Sequence, residues 1–198
     1  MLENKEKSVF VVIDIIKDLV NADGKLAAMG IASHAVSQNL ITNTKYFLDY
    51  ARSNGIKVIH VKVNYEKGYP EIKNSKMPMY QGMEQMNVLI KGDPGAEIVD
   101  ELKPLDGEAV LIKSRINPFT NHEFHKVLIE NKIDTIILAG VATNFAVEEA
   151  ARTAAQADYR VIVLKDCCAS MNKEMHDFAI NVILPNFATV TSSKELVG

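Results

Sequence analysis

Two charged residues of this 198-residue chain directly follow apolar segments that are typical of β-strands. Asp14 follows the strand predicted at 8–13, and Lys113 follows the strand predicted at 109–112. A carboxylate and an ammonium group that meet at one edge of a sheet can move protons and stabilise charge on a ligand. Either residue alone is common at a strand end, where the chain enters solvent, so the hypothesis depends on the two together.

A turn that contains glycine adds a third component to the same edge. The uncharged residues 135–139 predict a strand that is buried on both faces. Residues 144–157 are almost all good helix formers, and Gly140 begins the turn between strand and helix. Because ligands bind at the carboxyl ends of the strands in an open parallel sheet, residues 140–147 are expected to lie beside Asp14 and Lys113.

The elements that would position these residues alternate between strand and helix. Strands are predicted at 8–13, 57–63, 109–112, 135–139, 160–164 and 188–191. Helices are predicted from Val36 to a glycine-containing end at 53–55, and at 121–131, 144–157 and 173–184, with an irregular stretch at 19–35. This order favours right-handed parallel crossovers and an α/β fold, a three-layer α/β/α sandwich formed by one domain over residues 1–198.

The segment 64–95 interrupts this alternation. It contains three prolines and four glycines together with several tyrosines and methionines. Such a segment is too apolar for a solvated loop, so we interpret it as a lid or as a contact between subunits. A small satellite core under a loop is the alternative.

Composition limits the classes of partner. The net charge of -3 and the pI near 6.0 give no electrostatic reason to expect nucleic acid or a membrane surface. A small-molecule substrate or another protein remains. The two cysteines, Cys167 and Cys168, are adjacent and cannot form a disulfide framework, which favours a cytoplasmic protein in which both serve packing.

Six short motifs occur in a fixed order along the chain. They are Val-Val-Ile-Asp14, Leu-Ile-Lys113 with Asn117-Pro-Phe119, Leu-Ala-Gly140-Val-Ala-Thr143, Ala151-Arg152, the segment 159–166, and Glu174-Met-His176. Each motif alone is weak, but in this order and spacing they resemble the isochorismatase-like hydrolases, also called the cysteine hydrolase family. The resemblance covers nearly the whole chain.

The resemblance implies a fold and a site. The fold would be a Rossmann-like sheet of six parallel strands in the order 3-2-1-4-5-6. The site would combine Asp14, Lys113 and a cysteine at position 146. A cis peptide between Val141 and Ala142 would turn the N–H of Ala142 toward the pocket, so that these two residues bind the substrate or an oxyanion.

Two further implications concern the pocket wall and the assembly. Phe119 lies where the family places an aromatic residue near the pocket, although plain core packing is the alternative. Family members also suggest a homodimer or a homotetramer.

The sequence departs from the family at the nucleophile. Cysteine-dependent members carry a thiol six residues after the glycine, whereas this chain has Ala146, whose methyl group cannot attack a carbonyl carbon. Three explanations follow: a natural member that works without a covalent intermediate, an engineered cysteine-to-alanine variant of an amidohydrolase, and an inactive binding or assembly protein. We favour the first, in which Asp14 acts as general acid or base and hydrolysis concerns an amide C–N bond or a vinyl ether.

Other candidate residues receive structural roles. Thr143 is predicted to cap the helix that follows it. His60 is interpreted as a strand residue with a satisfied ring, because no second histidine lies near it and zinc needs three or four ligands. His122, His125 and His176 are expected on helices, in solvated or capping positions. No cofactor and no catalytic metal are therefore expected.

Overall fold

The computed structural model describes residue 2 and residues 4–198, which contain a six-stranded sheet in the order β3-β2-β1-β4-β5-β6. The strands are β1 (Ser8–Ile13), β2 (Lys57–Val63), β3 (Ala109–Lys113), β4 (Thr135–Val141), β5 (Arg160–Ala169) and β6 (Thr189–Thr191). All neighbouring strands are parallel. The predicted fold class and strand order are confirmed.

Helices cover both faces of this sheet. They are α1 (Lys17–Val20), α2 (Ile31–Ser37), α3 (Leu40–Ser53), α4 (Met83–Met86), α5 (His122–Glu130), α6 (Glu148–Gln156), α7 (Lys173–Phe178) and α8 (Ser193–Val197). Successive β1 residues point to opposite faces: Phe10 packs in the core that contains α3, and Val11 packs in the core that contains α5 and α6. The sheet is therefore the middle of three layers.

Several helix and strand boundaries differ from the predictions. Val36 does not begin the helix that packs on the sheet. It lies in α2 and is 69% exposed. Asn39 adopts a left-handed φ of 51° and separates α2 from α3. Strand β5 continues to Ala169, after a register shift opposite Leu138 and Gly140. Helix α8 was not predicted, although its capping box of Ser192 and Glu195 is visible in the sequence.

Gly140 allows strands β1 and β4 to approach each other immediately before Asp14. Its φ is 136°, and a Cβ atom at this position would lie 2.0 Å from the carbonyl oxygen of Ile13. Any other residue would push the two strands apart. The glycine therefore fixes the end of β1 beside the turn that follows β4.

The segment 64–95 is tied to α1 by the buried carboxylate of Asp18. This carboxylate accepts hydrogen bonds from the N–H groups of Lys25 at 3.3 Å and Leu89 at 3.2 Å. The hydroxyl of Tyr69 donates to the carbonyl of Val88 at 2.7 Å within the segment. These contacts hold the segment against the carboxyl edge of the sheet. Across the described part of the chain, no helix is long and apolar enough to cross a membrane.

Candidate active site

Asp14 follows β1 in a backbone conformation that few residues adopt. Its φ is 54°, in the left-handed region that aspartate tolerates better than most residues, and such conformations are concentrated at functional sites. Its N–H donates to the carbonyl of Val61 at 2.8 Å, and its Oδ1 accepts from the N–H of Val63 at 2.7 Å. Strand β2 therefore holds Asp14 at both backbone and side chain.

Lys113 reaches Asp14 across the end of β2. Its Nζ lies 2.7 Å from Oδ2 of Asp14, and the two side chains are only 2% and 5% exposed. The same ammonium group donates to the carbonyl of Arg115 at 3.0 Å. The two residues that the sequence placed at one edge of the sheet are thus in direct contact.

Burial changes the pKa of the Asp14 carboxyl group. Removal from water raises the pKa of Asp14, while the Lys113 ammonium and the N–H of Val63 oppose that rise. Burial and the Lys113 charge therefore act in opposite directions on the pKa of Asp14.

The turn after β4 carries position 146 to the same place. The peptide bond between Val141 and Ala142 is cis, as the resemblance implied. Residues Thr143–Val147 then form one π-helical turn, and α6 begins at Glu148. Ala146 is 3% exposed, and its side chain lines the same cavity as Asp14 and Lys113.

Thr143 does not cap the helix, so that prediction was wrong. Its hydroxyl instead lies 2.8 Å from Nδ1 of His176. His176 lies on a helix, α7, as predicted, but it is buried and not in the solvated or capping position expected for it. The other ring nitrogen of His176 lies 2.9 Å from the side-chain nitrogen of Gln38. Burial lowers the pKa of His176 to about 4, so the ring is neutral near neutral pH. The only sequence signal for this contact was the match of His176 to a family motif.

The cavity that contains the pair has a volume of about 170 Å³ and a largely apolar wall. Its charged residues are Asp14, Lys113 and Arg115. Five methionines line it: Met29, Met79, Met83, Met86 and Met171. No serine, threonine or cysteine is among the described residues that line the cavity, so its wall has neither an aliphatic hydroxyl nor a thiol.

Phe119 is not among the described residues that line this cavity. Its ring packs edge-on against Phe124, with the ring centroids 4.9 Å apart, and belongs to the core on the α5 side of the sheet. The structure therefore places Phe119 in the alternative position, core packing. Val141 and Ala142, in contrast, do line the cavity.

The two cysteines lie on β5 and are completely buried. Burial raises the pKa of Cys168 to about 12 and that of Cys167 well above its ordinary value. Neither thiol forms a thiolate near neutral pH. Their position agrees with the predicted packing role.

His60 lies on β2, as predicted, but only one of its ring nitrogens has a partner. Nε2 lies 3.2 Å from Glu108, whereas Nδ1 is buried and has no hydrogen bond among the described residues. Within residues 2 and 4–198, no group of three or more His, Cys, Asp and Glu side chains is arranged to hold a metal ion.

The fold and the position of the pair are typical of α/β proteins that bind small molecules at the carboxyl edge of a sheet. The isochorismatase domain family matches residues 8–195. Ureidoacrylate amidohydrolase RutB of Yersinia enterocolitica is 30% identical to this chain over 193 residues, which cover 92% of this chain and 82% of that protein. The chain belongs to the isochorismatase family of hydrolases.

Solved structures agree with this assignment. N-carbamoylsarcosine amidase from Thermoplasma acidophilum superposes with a TM-score of 0.74 at 26% identity, covering 96% of this chain and 99% of that chain. A cysteine hydrolase from Pseudomonas syringae pv. phaseolicola has the same fold, with a TM-score of 0.86 at 23% identity, covering 98% of this chain and 92% of that one.

Proposed function

We propose that this protein hydrolyses a small molecule, at an amide C–N bond or a vinyl ether, without a covalent enzyme intermediate. Asp14 and Lys113 perform the chemistry, and Ala146 leaves the attack to water. The observation that carries this proposal is the 2.7 Å contact between Asp14 and Lys113 in a cavity that Ala146 also lines.

The roles follow from the charges. Asp14 gives a proton to the leaving nitrogen of an amide or to the vinyl carbon of an ether, and water forms the new bond to carbon. The proton that the water loses restores Asp14, so the net reaction adds one water molecule. Lys113 stabilises negative charge, together with the N–H groups of Ala142 and Ala146 at the turn.

The wall of the cavity supports a small substrate whose non-reacting part is apolar and uncharged. A volume of about 170 Å³ admits only a small molecule, and methionine side chains adapt to different apolar shapes. Three of the five methionines, together with Tyr65 and Tyr80, come from the segment 64–95. We propose that this segment forms the lid over the site in a homodimer or homotetramer.

The relatives support the C–N alternative. One is named an amidohydrolase and another an amidase. The family name, in contrast, points to a vinyl ether, so both classes of substrate belong in a test.

The decisive experiment is a screen of amides, ureides and vinyl ethers against the wild-type protein and Ala146→Cys. Turnover by the wild type, with no covalent adduct in the intact-mass spectrum of quenched reactions, supports the proposal. Asp14→Asn and Lys113→Ala should each then lower kcat/KM by about 100-fold or more while the protein stays folded. The matched controls are Asp49→Asn and Lys45→Ala, which alter an exposed ion pair on α3 with the same 2.7 Å separation.

Other outcomes contradict the proposal. Turnover by Ala146→Cys alone identifies a disabled cysteine amidohydrolase. Absence of turnover by both proteins, with ligand binding retained, identifies a binding protein.

A further inference from the structure

The segment 64–95 is held to the domain in different ways at its ends and in its middle. The two ends are joined to each other, because the N–H of Tyr65 donates to the carbonyl of Leu89 at 2.9 Å. The second end is also held from outside the segment, since the Lys25 ammonium donates to the carbonyl of Asn87 at 2.7 Å. These contacts leave the middle of the segment to be fixed by other residues.

Residues 70–86 form this middle part. Four of them line the cavity that contains Asp14 and Lys113: Met79, Tyr80, Met83 and Met86. Among the described residues, Arg115 is the one side chain outside the segment that forms a hydrogen bond with residues 70–86. Its Nη2 donates to the carbonyl of Glu71 at 2.8 Å. Its guanidinium also lies over the ring of Tyr80, 5.7 Å from the ring centroid, so Arg115 contacts this part at two places.

Arg115 differs from two other arginines of the chain in its partners. Arg52 and Arg152 each form an ion pair with a glutamate. Arg115 is half-buried and has no ion pair within residues 2 and 4–198; its N–H groups donate to neutral backbone carbonyls. Hydrogen bonds to neutral acceptors are weaker than those to carboxylates, so these contacts are suited to break and form again.

The backbone of Arg115 contacts the cation of the site. The Lys113 ammonium, 2.7 Å from Asp14, also donates to the carbonyl of Arg115 at 3.0 Å. The side chain of Arg115 folds back over this backbone, because its Nη1 donates to the carbonyl of Ser114 at 3.0 Å. One residue therefore contacts the segment through its guanidinium and Lys113 through its carbonyl.

We propose that Arg115 is a positioning residue that couples closure of the segment 64–95 over the cavity to the placement of the Lys113 ammonium beside Asp14. This inference rests on the proposed function. Residues 70–86 supply part of the cavity wall, so a substrate enters when they move away, and Arg115 then loses its contacts with Glu71 and Tyr80. Closure restores these contacts and fixes the backbone that holds Lys113. Catalysis is thereby confined to the closed state.

The first test needs no substrate. Arg115→Ala should make amide hydrogen exchange in residues 70–86 about 10-fold faster, because a hydrogen bond and a cation–π contact are lost. Reductive methylation of the Lys113 amine by formaldehyde and a borane, followed by peptide mass spectrometry, should accelerate about as much. Arg115→Lys should give intermediate rates.

Two controls accompany this test. The Lys62 side chain is 11% exposed and lies 2.7 Å from Glu97, so its methylation in the same sample should keep the wild-type rate. Arg152→Ala removes a guanidinium that lies over the ring of Phe187 at 4.4 Å, and it should change neither the exchange of residues 70–86 nor the methylation of Lys113.

The second test uses the best substrate of the screen. Arg115→Ala should lower kcat about 10-fold, since Lys113 is then less well placed for the chemical step. Arg115→Lys should recover part of the rate, and ethylguanidinium added to Arg115→Ala should do the same. Arg152→Ala should keep the wild-type kcat.

The other outcomes separate the two proposals. Unchanged exchange of residues 70–86 in Arg115→Ala overturns the inference, as does faster exchange with unchanged kcat and unchanged methylation of Lys113. Equal acceleration of methylation at Lys62 shows a general loosening of the fold and also overturns it. Absence of wild-type turnover overturns the proposed function alone, because exchange and methylation test Arg115 without a substrate.

Discussion

The two ends of strand β3 each lie beside a largely buried carboxylate that contacts a cation. At the amino end, Glu108 accepts hydrogen bonds from Arg52 Nε at 2.7 Å, from Arg52 NH2 at 2.8 Å and from the N–H of Leu105 at 2.9 Å. At the carboxyl end, Asp14 has two such contacts, with Lys113 and with the N–H of Val63, both at 2.7 Å.

The pKa values of the two carboxyl groups shift in opposite directions. Burial acts to raise the pKa of Glu108, but the hydrogen bonds from Arg52 and Leu105 outweigh it and bring the pKa to about 2. For Asp14, which is more completely buried, the effect of burial is the larger one and the pKa is raised. Glu108 is therefore ionised at neutral pH, whereas burial raises the pKa of Asp14 above its ordinary value.

Cavity size alone does not distinguish the two ends. A larger groove of about 450 Å³ lies at the amino end of β3 and is lined in part by Arg52 and Glu108. These two groups hold each other in a bidentate pair, so the carboxylate is not available to a substrate. The smaller cavity contains Asp14, whose pKa is raised by burial.

The largest expected effect comes from replacing both charges at the carboxyl end. The double variant Asp14→Asn with Lys113→Met should lose on the order of 1000-fold in kcat/KM. It should unfold in urea at the same or a higher concentration than the wild type, because replacing a buried ion pair by uncharged groups is often neutral or stabilising. A large loss of stability together with retained turnover would show that the pair is structural.

At the amino end the expected effect is on stability. Arg52→Met should lower the free energy of unfolding by about 2–3 kcal/mol, because it leaves the Glu108 carboxylate without its counterion. Steady-state kinetics with the substrate from the screen should be unchanged. If Arg52→Met lowers kcat as much as the double variant does, the two ends do not differ in function.

The pH dependence of that stability has a definite sign. A carboxyl group whose folded-state pKa is lowered stabilises the protein above the ordinary value of 4.5, and this contribution is lost as the pH falls toward about 2. The difference in unfolding free energy between wild type and Arg52→Met should therefore shrink below pH 4.5. Urea unfolding followed across this range measures it.

The sequence predicted those parts of the molecule that depend on local pattern. The apolar strands and their alternation with helices predicted a parallel α/β sheet, whereas the strand order came from the family resemblance. The position of Asp14 and Lys113 directly after apolar strands predicted that the two would lie at the same edge of the sheet. The same reasoning failed at the start of the helix predicted from Val36: Asn39 is left-handed, so Val36 belongs to α2 and the helix on the sheet begins only at Leu40. Backbone conformation at one residue leaves little trace in an apolar pattern.

Contacts between distant segments could not be predicted. Thr143 and His176 are 33 residues apart, and only the fold brings the hydroxyl and the ring together. Phe119 could be placed either in the pocket or in the core until the position of Phe124 was known.

The difference between the pKa values of Asp14 and Glu108 can be measured in one titration of the wild-type protein. Carboxyl carbon chemical shifts, assigned with Asp14→Asn and Glu108→Gln, report the titration of each group in the folded protein. The structure predicts that Asp14 titrates above the ordinary value of 3.8 and that Glu108 titrates at about 2. An Asp14 carboxyl that titrates below 3.8 would contradict the proton-transfer role that we propose for it.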